Sequence, residues 1–130
     1  MIVLDASAAI DWLLQTPAGQ LIEKRIFARN ESLHAPHLID LEVMQVLRGL
    51  AREGTISERR ADEALRDLID LRITRYPHFV LLPRIWKYRS NLSAYAAAYI
   101  VLAEELAAPL VTRDARLAGA SGHAAKVEVF

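Results

Sequence analysis

The chain contains no cysteine. Disulfides, thiolate zinc sites and cysteine nucleophiles are thereby excluded, and a reducing compartment is a compatible setting. Net charge is also missing, since 16 Lys and Arg balance 16 Asp and Glu. That balance argues against a strongly basic nucleic-acid binder. The basic residues are nearly all arginine. This suits bidentate phosphate contact but follows equally from a GC-rich genome. No apolar run is long enough to span a bilayer: the longest, Ala94 to Ala103, ends at Glu104 and Glu105. The opening MIVLDASAAI has neither a basic n-region nor a cleavage site, so a soluble, cytoplasmic protein without a signal peptide is expected. No histidine pair has zinc-ligand spacing. His34 and His37 flank a proline and His78 and His123 are isolated, so all four read as surface or turn residues. Repeats, low-complexity stretches and linkers are absent as well.

What remains is 130 residues, 53% apolar and 25% charged. These values describe one ordinary globular domain, residues 1–130, large enough to bury a core unaided. Its pattern alternates strands with helices. Ile2-Val3-Leu4 is apolar at every position, as in a strand covered on both faces. Helices are expected over Ala6–Leu14 and, from Pro17 at a favoured first position, to about Arg29. Ser32–Ala35 reads as a strand closed by Pro36, and His37–Glu53 as a long helix with Gly54 at its C-terminal stop. Ser57 caps a helix to about Leu71. Ile73–Tyr76 is a strand, Leu82–Tyr88 a short helix, and Ser93 caps a helix ending near Ala107. Pro109–Thr112, Ala115–Ala120 and Lys126–Phe130 complete the series as strand, helix and strand. Such alternation implies a three-layer α/β/α fold around a parallel sheet of four or five strands. Ligands in such folds sit beyond the carboxyl ends of the strands.

Two aspartates fall there. Asp5 follows the first strand and Asp114 the fourth, each just before a helix. Either is an N-cap by type; together they point to a shared acidic site. Glu42 adds to them. Its helical neighbours are Leu38, Ile39, Gln45 and Val46, so it lies in or beside the core-facing arc. A carboxylate there needs a metal or an ion pair with arginine, and both remain open. Asp40, about 200° away around the helix, faces elsewhere. Three carboxylates in a cleft suit a hard divalent cation such as magnesium, which takes oxygen ligands and can activate water beside a phosphoryl group.

The segments IVLDASAAIDWLL, APHLIDLEVMQVLRGL and NLSAYAAAYIVLAEELAAPLVTRDARLA resemble those of PIN-domain toxins of the VapC type over essentially the whole chain. The resemblance implies a PIN-like fold and a magnesium- or manganese-dependent endoribonuclease that leaves 3′-hydroxyl and 5′-phosphate ends. It also implies a small VapB-type antitoxin partner and a homodimer. Its acidic positions map to Asp5, Glu42, position 96 and Asp114. Its small hydroxyl residue maps to Ser7 or Thr112, and Arg113 and Arg116 stand ready to meet phosphate. The sequence departs from the pattern at position 96, where Ala96 replaces the expected aspartate. With Ser93 as cap, this is N3 of the helix, where an acid also favours the helix dipole and a capping box. An engineered, disarmed toxin and a naturally degraded site are both compatible with that alanine.

Other readings fit less well. A haloacid-dehalogenase-like phosphatase needs an acid two residues after Asp5, where Ser7 stands. A receiver domain needs an early acidic pair and a late lysine. The alternative from a different class is a non-catalytic module that binds antitoxin or RNA. Arg84, Trp86, Lys87, Tyr88 and Arg89 form a basic–aromatic cluster that suits single-stranded RNA or simply a solvated helix face. Leu65, Leu68 and Ile69 with Leu47 and Leu50 read either as core or as an antitoxin groove.

Overall fold

The computed structural model describes all 130 residues. Five strands form one all-parallel sheet: β1 (Ile2–Leu4), β2 (Leu33–Pro36), β3 (Ile73–Tyr76), β4 (Leu110–Thr112) and β5 (Val127–Val129). Their order is β3-β2-β1-β4-β5. The helices are α1 (Ala6–Leu13), α2 (Pro17–Ala28), α3 (Ile39–Arg52), α4 (Glu58–Asp70), α5 (Leu82–Lys87), α6 (Ala94–Leu106) and α7 (Ala115–Gly119). A single 3-10 turn, Phe79–Leu81, leads into α5. The α/β expectation with a parallel sheet of four or five strands is met at five. No helix is long and apolar enough to cross a membrane.

The strand order decides where a site can form. From β1 the chain steps outward to β2 and β3, then returns to the other side of β1 for β4 and β5. With right-handed crossovers, α1 to α4 cover one face and α5 to α7 the other. The order reverses between β1 and β4, so a crevice opens beyond their carboxyl ends. Val3 pairs with Leu110 and Leu4 with Val111, and the next residues of both strands are the ones that matter chemically.

Burial explains the element choices. Ile2, Val3, Leu4, Leu110 and Val111 are wholly inaccessible, which is why these strands are apolar at every position. Ala97 through Ala103 are all buried, so α6 is apolar all round. Asp5, Thr16, Ser57, Ser93 and Asp114 each cap a helix with a side-chain oxygen. Gly54 adopts φ +76° just past α3, as expected of a helix-stopping glycine.

Two readings need correction. The third helix starts at Ile39, not His37. The His37 amide donates to the Tyr76 carbonyl at 2.9 Å, extending the sheet ladder, so the chain turns helical only after Leu38. His34 is not a surface or turn residue but is buried within β2. An interior strand admits a polar side chain only if it is satisfied. Here the ring lies between the Ser32 hydroxyl at 2.8 Å and the Tyr76 hydroxyl at 2.7 Å. Burial holds its pKa below the ordinary histidine value.

Candidate active site

Asp5 leaves β1 as the N-cap of α1 and is almost fully buried. Its Oδ1 accepts from the Ser7 hydroxyl at 2.7 Å and the Ala8 amide at 3.0 Å. Its Oδ2 accepts from the Thr112 hydroxyl at 2.5 Å. The cap and the acidic site are therefore one residue in two roles. Burial pushes its pKa up, the three donors oppose that, and the charge of Asp114 adds to it.

Asp114 leaves β4 and caps α7. Its amide donates to the Thr112 hydroxyl at 2.9 Å, so Thr112 ties the two strand-end aspartates together. The Asp114 carboxylate takes both arms of the Arg116 guanidinium, at 3.0 and 2.9 Å. That pair holds its pKa below the usual carboxylate range.

Glu42 is half-buried on α3, and the Tyr99 hydroxyl donates to its Oε1 at 2.6 Å. Its partner is thus a tyrosine on α6, not the arginine that an internal ion pair requires. Asp40 faces elsewhere and takes Arg75 through two bonds of 2.7 and 2.8 Å. Burial raises the Glu42 pKa, Tyr99 opposes this, and the charge of Asp5 raises it further. Desolvation and the Glu42 carboxylate push the Tyr99 phenol far above its ordinary value.

The three acids occupy one sheet edge closely enough to feel one another, Glu42 sensing Asp5 and Asp5 sensing Asp114. No group of three such side chains is gathered on a single point. Each carboxylate is turned to its own partner: hydroxyls for Asp5, a phenol for Glu42, a guanidinium for Asp114.

The remaining candidates are placed as follows. Ser7 supports Asp5 and also accepts from the Arg113 amide at 3.0 Å. Thr112 is fully buried, and its hydroxyl buttresses both strand-end aspartates. Arg113 lies at the rim with its Nε on Asp11 at 2.6 Å. Arg116 is 91% exposed apart from its grip on Asp114. Ala96 is half-buried at N3 of α6, and its amide donates to Ser93 Oγ at 3.1 Å. Position 96 falls between Tyr95, which lines the neighbouring cleft, and Tyr99, one turn on, which holds Glu42.

That cleft measures about 910 Å³ and lies between α1, α3 and the start of α6. Ile10, Leu38, Leu41, Val46 and Tyr95 give it apolar walls, while Ser7, Asp11, Glu42 and Arg113 line its polar end. The group Leu47, Leu50, Leu65, Leu68 and Ile69 is mainly core: Leu47 and Leu68 are buried and only Ile69 is exposed. In the basic–aromatic cluster, Arg84 pairs with Glu104 and Glu105, and the Tyr88 hydroxyl donates to Glu104. Trp86 stays 66% exposed with Arg89 stacked 4.7 Å above its ring.

Sequence reasoning missed Tyr99, Tyr95 and Asp11. Asp11 was findable, because it lies one turn after Ser7 on the face toward the site. Tyr99 was findable as the one polar side chain in the buried run 97–103, three residues after position 96.

Comparison with known proteins places the sequence and the fold. The family model for the PIN domain matches residues 2–122. Ribonuclease VapC12 of Mycobacterium tuberculosis is 38% identical over 129 residues, covering 99% of this chain and 98% of its own. Ribonuclease VapC9 of the same species is 47% identical over 118 residues, covering 90% and 88%. Among solved structures, PAE2754 from Pyrobaculum aerophilum superposes with a TM-score of 0.69 at 26% identity, over 95% of this chain and 87% of that one. The Mycobacterium tuberculosis VapC20 toxin shares the fold with a TM-score of 0.67 at 14% identity, over 95% and 97%. The chain belongs to the PIN-domain family, among its VapC-type toxins.

Proposed function

We propose that the chain is an endoribonuclease toxin scaffold whose metal site is formed by Asp5, Glu42 and Asp114 and is left incomplete by Ala96. The observation that carries this reading is the pairing of Asp5 and Glu42. Both are buried or half-buried carboxylates, both are pushed toward protonation by desolvation, and neither has a cationic partner. Such groups are costly unless a cation reaches them. The donors are all hard oxygens, which fits Mg2+ or Mn2+. Asp114 joins them once the exposed Arg116 side chain swings away. A divalent ion held by these acids would supply activation of water and an offset to charge on a phosphoryl oxygen. The protein's own part is to hold the acids. Ser7 and Thr112 fix both oxygens of Asp5, Tyr99 fixes one oxygen of Glu42, and Arg113 and the released Arg116 offer guanidinium groups to phosphate. Trp86 with Arg89 offers an exposed aromatic and cationic surface to unpaired RNA. The substrate on this reading is single-stranded or loop RNA, cut to 3′-hydroxyl and 5′-phosphate ends.

Ala96 supports a second reading, a PIN-fold module that binds antitoxin or RNA without cutting. The two separate on one experiment. Ala96→Asp protein, given Mg2+ or Mn2+ and a broad RNA panel, cleaves RNA if the first reading holds. An uncut panel leaves only the binding module.

A VapB-type antitoxin fits the apolar cleft beside the acidic edge. A short segment with apolar residues and one Arg or Lys would fill the cleft and set a cation among the acids. Phe79, Val80 and Leu82, all exposed before and within α5, give a homodimer an apolar face. A monomeric mass by light scattering at tens of micromolar counts against the dimer. Its setting on this reading is the cytoplasm.

A further inference from the structure

Tyr99 is 3% exposed and sits among seven consecutive buried residues of α6, where its hydroxyl is the only polar side-chain atom. A phenylalanine would fill the same space and bury no polar group. The hydroxyl is therefore not a packing requirement. It points out of the core toward α3, which packs on the opposite face of the sheet, and meets Glu42 Oε1 at 2.6 Å. The other carboxylate oxygen, Oε2, makes no hydrogen bond within the protein and, since no buried side-chain oxygen lacks a partner, remains open to solvent. Asp5 is similarly gripped, by Ser7 and Thr112. Without Tyr99, Glu42 is an unbranched side chain at a half-open helix position, free to change rotamer.

We propose that Tyr99 is a positioning residue for Glu42: its hydroxyl holds one carboxylate oxygen so that the other is presented, preoriented, to a divalent cation at the acidic edge. The proposal rests on the reading of that edge as an ion site. Groups that orient metal ligands in this way are worth about 10–100-fold in affinity. Placing the orienting hydroxyl on α6 also links the first turns of that helix, where position 96 lies, to the opposite helix layer. A carboxylate at 96 and the carboxylate of Glu42 are then held in one frame.

The test is a double-mutant cycle read by Mn2+ affinity, using calorimetry on the full chain in the Ala96→Asp background. Tyr99→Phe keeps the packing and removes the hydroxyl. In the presence of Glu42 it lowers Mn2+ affinity at least about tenfold. In the Glu42→Ala background, where binding is weaker throughout, the same change alters affinity by no more than about twofold, the scatter expected of uncoupled sites. Equal losses in both backgrounds assign Tyr99 a general structural role and overturn the proposal, as does an unchanged affinity in the presence of Glu42. If the Ala96→Asp protein itself binds no Mn2+, the ion-site reading fails and this inference fails with it, a result distinct from either of those.

Discussion

Thr112 is wholly buried, yet it carries a hydroxyl that donates to Asp5 and accepts from the Asp114 amide. Valine has nearly the same shape and can make neither bond. Thr112→Val therefore strands a buried carboxylate oxygen and a backbone amide, with an expected loss of about 1–3 kcal/mol. Urea unfolding measures it, and an unchanged midpoint at unchanged slope would show that the hydroxyl does not hold the two aspartates. The same residue shows what a sequence reveals of a site and what it hides. Asp5 and Asp114 are legible because a strand-end acid ahead of a helix has few roles, and Glu42 because a carboxylate in a core-facing arc needs a reason. Partners chosen across long sequence distances are not legible. Thr112 read as one of two matches for a small hydroxyl residue, Arg113 and Arg116 as residues ready to meet phosphate, and Tyr99 was missed. Thr112, Arg113 and Tyr99 are each committed to a carboxylate that only the folded chain brings near, while Arg116 is held by Asp114, two residues away.

At the scale of elements, the contact of α1 with α2 depends on Gly19. A Cβ there would lie 1.9 Å from the Asp11 carbonyl oxygen, a backbone atom that moves only with the helix. Gly19→Ala is expected to force the two helices apart and to destabilise by about 1–3 kcal/mol or more. Gly49, within α3, meets no atom within 4 Å of its would-be Cβ. Gly49→Ala is expected to stabilise by about 0.5–1 kcal/mol, as helix propensity dictates. Thermal melts of the two variants should shift in opposite directions, and a shared direction would contradict the packing described. Helix starts were legible where an Asp, Ser or Pro marks them. The start of α3 was not, because the His37 amide is engaged by β3, a strand some forty residues away in sequence.

At the scale of the whole molecule, the sheet's edge strand is fastened by Arg25. Its guanidinium takes both oxygens of Glu128 on β5 at 2.9 and 3.1 Å and Glu31 ahead of β2 at 3.0 Å. Glu31 also takes the N-terminal amine. Arg25 holds the Glu128 carboxyl below its ordinary range, and the N-terminus with Arg25 does the same for Glu31. Lowered acid pKa values contribute stability that is present above the unfolded value, about 4.3, and is lost as pH falls through the lower folded values. Arg25→Met should cost about 2 kcal/mol at pH 7, and the gap to the parent should narrow toward pH 3. A gap of equal size at both pH values would contradict this. The alternation of elements made a parallel α/β sheet legible. The order β3-β2-β1-β4-β5 was not, since no residue in the short strands encodes which neighbour it pairs with. That order sets the crevice between Asp5 and Asp114.

The central claim is that this crevice is an ion site which a carboxylate at position 96 completes. It is tested most directly by melting the parent chain and its Ala96→Asp variant across a Mn2+ titration, with chelator as the baseline. Binding to the native state stabilises by RT ln(1 + [L]/Kd), about 2.7 kcal/mol at one hundred times Kd. Millimolar Mn2+ is expected to raise the melting temperature of Ala96→Asp clearly and that of the parent chain little. Equal shifts in the two proteins, or none in either, would contradict it.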